Sequence, residues 1–319
     1  MLKGRKFIII LLLGITGLVL LTSVSVPIQF SATAKVPYSL NRTMDQFRTA
    51  EQLRKWFYPF VNADSSEIGK LDGDRSGLYM DGHGIELVAE QPGHIVMAIE
   101  TDDIKRRIDF DISADPSSKG DCLVEASVYR TIWKRWIDPD PIDEQVVTSL
   151  KELEAFTNNT QRFYGFVIKK ETITDSCYLF MTKTVLPEEK AAATTQLFDS
   201  LINHIKKHPV DWSGRRIFYQ QATDSGRINI FTGVVVSCLL ERQAALGIGQ
   251  KKLPAGKQML TAEFKGAYKD IDKAYKALDQ YRKDYSLVGY MLPFEDLLSP
   301  GFGFQPEDKI RIKLCYPIL

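Results

Sequence analysis

The sequence predicts an α+β protein in three parts. These are an N-terminal membrane helix, an antiparallel sheet that grips one long helix, and a pseudo-two-fold duplicated strand-helix-strand-strand domain. Three observations predict it. An uncharged apolar run extends from Phe7 to Val26 behind Lys3, Arg5 and Lys6. A series of short alternating segments, each closed by a turn signal, runs from Pro27 to Arg130. A strand-helix-strand-strand pattern occurs near 163–238 and again near 257–317. The expected boundaries are 1–26 for the anchor, 27–158 for the first domain and 159–319 for the second.

Composition narrows the function. At 319 residues the chain has room for two domains. Its 41 basic and 40 acidic residues nearly cancel, which argues against a broad nucleic-acid-binding face, and no nucleic-acid partner is expected. The cysteines Cys122, Cys177, Cys238 and Cys315 are far apart and read as free thiols. His204 and His208 have a metal-compatible spacing, but no carboxylate pair or H-E-x-x-H motif accompanies them. They read as polar residues closing a helix, and neither a metal nor a cofactor is expected.

Phe7 to Val26 is long enough to cross a bilayer, which takes about 20 residues. The basic residues before it would keep the N-terminus in the cytoplasm and place the domains on the extracytoplasmic (periplasmic) side. The alternative is a cleaved signal peptide, with Ala32-Thr33-Ala34 as the cleavage site. An uncleaved single-pass anchor is preferred, because Ile28, Phe30, Ala32, Ala34 and Val36 alternate with polar residues as a half-buried strand does.

Leu40, Met44 and Phe47, then Leu53, Trp56, Phe57 and Phe60, give two short helices between Ser39 and Phe60. Six strands follow, near Glu67–Leu71, Arg75–Met80, Gly84–Glu90, His94–Glu100, Lys105–Ala114 and Cys122–Arg130. Short turns between successive strands imply antiparallel pairing. Pro141, with Asp143 and Glu144 behind it, starts a long helix whose apolar stripe is Val146, Leu150, Leu153 and Phe156. This element order, and Trp56 followed by Tyr58-Pro59-Phe60, resembles the SRPBCC superfamily (START and Bet v 1-like, including polyketide cyclases). The resemblance implies a helix-grip sheet around a cavity for an apolar ligand. Trp133 and Trp136, flanking Lys134 and Arg135, read as packing between domains or as a membrane-interface pair.

In the second half Arg162–Lys170 and Cys177–Val185 read as strands, Pro187 opens a helix to about Lys207, and Arg216–Ala222 and Asn229–Cys238 are strands again. Glu241 to Lys252 reads as a linker. The second copy has Leu253-Pro254-Ala255-Gly256-Lys257, an alternating run from Gln258 to Phe264, then a helix face of Tyr268, Ile271, Tyr275, Leu278, Tyr281 and Tyr285. Pro293-Phe294-Glu295 and a strand from Lys309 to Tyr316 close it. These motifs resemble the second half of a GyrI-like (bacterial effector-binding) domain. The resemblance implies a small-molecule cleft between two halves, often taking lipophilic cations.

Within the resemblance Glu295 matches the family's acid, and Gly266-Ala267-Tyr268 matches its glycine-proline-tyrosine except at Ala267. The tyrosine that the family often carries two residues after the acid is Leu297 here. A carboxylate in an apolar cleft is costly to ionise, and a ligand cation would relieve that cost while ring faces attract the same charge. Tyr268, Tyr275, Tyr281 and Tyr290 are placed nearest, with Trp212 and Tyr219 or Phe218 from the other half. The expected function is a membrane-anchored binder of a hydrophobic or cationic small molecule. One alternative is a hydrolase of reactive small molecules using Glu295 and a cleft tyrosine. The other is a protein-interaction module.

Overall fold

Strand alternation builds two antiparallel sheets, one in each of the units into which the chain divides, Met1–Asn158 and Asn159–Leu319. The computed structural model describes residues 11–12, 14–17, 27–70, 76–102, 104–131, 140–174, 177–208, 210–238, 247–298 and 309–319.

In the first unit β1 (Pro27–Val36) is followed by α1 (Leu40–Arg48) and α2 (Ala50–Leu53). Then come β2 (Gly69–Lys70), β3 (Gly77–Met80), β4 (His83–Gln91), β5 (His94–Thr101), β6 (Ile104–Ala114) and β7 (Cys122–Thr131), and last α3 (Pro141–Asn158). The sheet order is β1-β7-β6-β5-β4-β3-β2. Each hairpin strand pairs with its neighbour, and β1 returns to the far edge to pair with β7 over its whole length. Ala32-Thr33-Ala34 therefore lies inside a paired strand.

Period-2 alternation explains the buried face. Ile95, Met97 and Ile99 on β5, with Ile108, Phe110 and Ile112 on β6, are buried. The stripe expected on α3 (Val146, Leu150, Leu153 and Phe156) is buried with them. Asp140 caps this helix by accepting from the Ile142 amide at 3.0 Å, and Arg106 Nε donates to its other oxygen at 3.1 Å. Trp56 lies in the turn after α2 rather than inside it. Its ring packs edge-on against Phe47 and Phe57, and its indole N–H donates to the Gln46 carbonyl at 3.0 Å. Thr49 caps the start of α2 by accepting from the Gln52 amide, and the helix ends at Leu53.

The second unit begins with α4 (Thr160–Tyr164) and β8 (Ile168–Thr172). Its two copies are β9 (Cys177–Val185), α5 (Lys190–Ile205), β10 (Trp212–Ala222), β11 (Ile228–Val236), and β13 (Gln258–Ala267), α6 (Asp272–Asp284), β14 (Phe294–Leu297), β15 (Lys309–Ile318). Between them lies β12 (Gly249–Lys252). The sheet order β12-β9-β11-β10-β14-β15-β13-β8 reads as one copy meeting its mirror-ordered counterpart at β10 and β14. The edge strands are exchanged: β8, ahead of the first copy, pairs with β13 of the second, and β12, ahead of the second, pairs with β9 of the first.

The structure corrects several expectations. The strand expected from Arg162 starts only at Ile168, because Asn159 caps a helical turn by accepting from the Gln161 and Arg162 amides, and Gly165 ends it at φ 82°. The expected linker contains β12, whose Gly-Gln-Lys-Lys sequence carries no apolar alternation; pairing with the edge of β9 makes it a strand. The expected fold class included a membrane helix, and this is withdrawn. Among the described residues no helix is long and apolar enough to cross a membrane. Of Phe7 to Val26 only 11–12 and 14–17 are described, as helix. The rest of that run and Trp133 to Trp136 lie outside the described residues. The single-pass anchoring and extracytoplasmic placement that depended on the span are withdrawn with it.

The ring cluster at Trp56 predicts a large penalty for its loss. Trp56→Ala is expected to destabilise the first unit by about 3–5 kcal/mol, read as a lower urea midpoint of that unit's unfolding transition. A shift below about 1 kcal/mol would show that the indole is not part of its core.

Candidate functional site

Glu295 stands at the seam of the duplicated sheet. On β14 it pairs in register with Phe218 of β10 and Leu314 of β15, and all three side chains are fully buried. Its carboxyl group thus has an apolar neighbour on each side within the sheet. Leu297 lies on the same face two residues on. The α5 and α6 helices cover this face, with Phe198 and Leu201 from one and Ala274 and Leu278 from the other in the same core.

Two phenols satisfy the acid. Tyr275, from the first turn of α6, donates to Oε1 at 3.0 Å. Tyr268, in the single turn that leads into α6, lies 3.4 Å from both carboxylate oxygens. From the other copy, Lys190 at the start of α5 places Nζ 3.2 Å from Tyr268 Oη. The same ammonium lies 4.4 Å from the centre of the Tyr268 ring and 5.5 Å from that of Phe218.

Burial governs the electrostatics. Loss of water pushes the Glu295 carboxyl up to about 7, against the opposing effects of the Tyr275 hydrogen bond, the Lys190 charge and Tyr268. Burial pushes Lys190 down to about 8, while the charges of Glu295 and Asp272 pull the other way. Tyr268 and Tyr275 are held well above the ordinary phenol range by burial and by the adjacent Glu295 charge, so both stay protonated and donate.

A surface hollow of about 500 Å³ opens between the two helix starts. Lys190 and Ala191 line it from one copy, Tyr268, Ile271 and Asp272 from the other, with Gln220 on β10. Lys190 and Tyr268 connect this hollow to Glu295.

The other aromatic residues singled out in the sequence are distributed elsewhere. Tyr219 and Tyr290 line a second hollow, of about 360 Å³, with Phe294 and Ile217. Alternation puts Ile217, Tyr219 and Phe294 on the opposite sheet face from Phe218 and Glu295. On that face Asp296 is buried and paired with Arg215 at 2.7 Å. Tyr281 packs against Tyr164 and Tyr285, with ring centres 5.4 and 4.5 Å away, rather than against the acid. Trp212 is half-buried at the start of β10, its indole N–H 3.4 Å from the Arg215 carbonyl. The sequence reading missed Lys190. The duplication carried the signal, since matching the copies element by element sets Pro187–Lys190 opposite Tyr268–Ile271 as the turn that starts each helix.

No family model matches the chain, and no curated protein matches it. Among solved structures it is similar to EcmrR in a cryo-EM complex with DNA, at 12% identity and TM-score 0.40 over 59% of this chain and 75% of that chain. It is similar to the EcmrR C-terminal domain at 14% identity and TM-score 0.37, over 48% of this chain and 98% of that one. It is similar to SAV2435 bound to tetraphenylphosphonium at 12% identity and TM-score 0.33, over 48% of this chain and 94% of that one.

The raised Glu295 pKa makes a signed prediction. The folded state holds this proton more tightly than the unfolded chain, where a glutamic acid titrates near about 4.3. The stability this contributes is complete below the unfolded value and is lost as pH rises through about 7. Lys190, lowered to about 8, makes stability change with pH only above that window. Glu295→Gln has no charge to bury. Its stability relative to the wild type is therefore expected to rise by on the order of 2–3 kcal/mol between pH 4.5 and 7.5, measured by urea unfolding. A difference independent of pH would show that Glu295 titrates as in the unfolded chain.

Proposed function

We propose that residues 159–319 form a small-molecule-binding domain whose ligand sits in the hollow between the starts of α5 and α6. The observation that carries this reading is the fully buried Glu295, held by two phenols and joined to the hollow through Tyr268 and Lys190. A carboxyl group costs stability at a position flanked by Phe218 and Leu314, where an apolar residue would pack at no such cost. Its presence there fits a site kept for ligand recognition. The hollow is of the size that holds a compact organic molecule, and its walls offer the side chains of Ile271 and Ala191 and the ring of Tyr268 for apolar contact. The sequence resemblance to GyrI-like domains points the same way. The aromatic residues Tyr219 and Tyr290, on the second hollow, belong to the support of the sheet in this reading and not to the ligand seat.

A second reading, hydrolysis of a reactive electrophile, is favoured by one observation. An acid pushed up to about 7 and bonded to Tyr275 at 3.0 Å is suited to exchange protons with water near neutral pH. Turnover of such a substrate that disappears in Glu295→Gln supports it, and binding without turnover removes it.

Ala191 is half-buried on the wall of the hollow, so a large side chain there fills the seat. In fluorescence titrations with a panel of apolar aromatic compounds, Ala191→Trp is expected to weaken binding at least about tenfold, while Tyr219→Phe leaves it unchanged. Equal binding by wild type and Ala191→Trp would place the ligand elsewhere.

A further inference from the structure

Lys190 places a charge against the two rings and the phenol that surround the buried acid. An ammonium within about 6 Å of a ring centre is attracted to the ring face. Lys190 Nζ meets that condition twice, over Tyr268 at 4.4 Å and over Phe218 at 5.5 Å. It also donates to Tyr268 Oη, the phenol that bonds the buried acid. Two ring faces beside a buried acid are what a lipophilic cation would seek, and Lys190 already lies over both rings and bonds the phenol that holds the acid.

We propose that Lys190 is a resident cation occupying the charge-binding part of the cleft, so that the hollow takes uncharged apolar molecules and rejects cationic ones. This rests on the reading of the hollow as a ligand seat. A second positive charge entering beside Tyr268 would meet the ammonium at close range, where like charges in a partly buried site repel strongly. The hollow is lined by two acids, Glu188 and Asp272, and two lysines, Lys190 and Lys269, so its rim offers an incoming cation no formal net negative charge. An incoming cation could gain the ring faces only by displacing Lys190, whose four-carbon stem is anchored at the first residue of α5. An uncharged guest needs no displacement and uses the apolar walls. The lowering of the Lys190 pKa to about 8 still leaves the side chain mostly charged at pH 7.

The test uses two probes of one shape that differ in charge, tert-butylbenzene and phenyltrimethylammonium, titrated into the full chain at pH 7 by NMR. The wild type is expected to bind the uncharged probe at least about tenfold more tightly than the cation. Lys190→Met is expected to bind the cation at least about tenfold more tightly than the wild type does. Lys190→Arg, which keeps the charge, is expected to go on rejecting it. Lys190→Gln stands in for the methionine variant should that one not fold, as judged by its melting curve. Unchanged cation affinity in the charge-removing variant overturns the resident-cation proposal while leaving the ligand seat intact. Failure of every form to bind either probe removes the seat, and the proposal with it.

Discussion

The second unit depends on one constraint, a carboxyl group buried at the seam of a duplicated sheet. Glu295 pairs with Phe218 and Leu314, so strand neighbours offer it nothing polar on the face it occupies. Its partners must come from above the sheet. Tyr275 and Tyr268 supply them from the start of α6, and Lys190 completes the chain from the start of α5. Each group in this chain is shifted in the direction burial dictates: the acid and the phenols upward, the ammonium downward. The cluster is a set of compensations for taking polar groups out of water. Any movement of either helix start would disturb it.

The duplicated backbone explains why those groups meet. Two copies joined at β10 and β14 bring both helix starts over the same central strands. Exchange of the edge strands β8 and β12 ties each copy to the segment that precedes the other. The backbone is close to symmetric, but the chemistry is not. One helix start contributes a lysine and the other a tyrosine, and the acid occurs on β14 opposite a phenylalanine on β10. Symmetry builds a shared cleft, and the departure from it gives that cleft a polarity.

The first unit is organised by a different balance. Its sheet buries an aliphatic and aromatic face under α3, and three polar side chains serve that helix and the turn at Tyr58. Asp140 caps α3, Gln145 donates to the Tyr58 carbonyl, and Ser149 accepts from the Tyr58 amide. Each of these polar side chains satisfies a backbone group that would otherwise be stranded in the core. Such a pattern accounts for their burial without a ligand.

Local pattern was enough for much of this. Alternation placed β4 to β7, β9 to β11 and β13, because a strand with one buried face must repeat every two residues whatever lies beyond it. The stripe on α3, with Pro141 and the acids behind it, showed where that helix starts, and the repeated strand-helix-strand-strand order showed the duplication. Glu295 and Tyr268 stood in motifs, and Tyr275 followed from helical spacing. Long-range contact decided the rest. The strand at Gly249–Lys252 exists because β9 has an open edge, and no local signal encodes that. Tyr281 shares a helix stripe with Tyr275, yet it turns to Tyr164, while Tyr219 and Tyr290 fall to another hollow. Lys190 reaches Tyr268 across 78 residues of chain, a proximity that exists only once both copies have folded onto each other. Which segments bury a face is legible in the chain alone, since periodicity is a local property. The tertiary structure alone decided which charged group the acid faces, since that is set by how two distant helix starts converge.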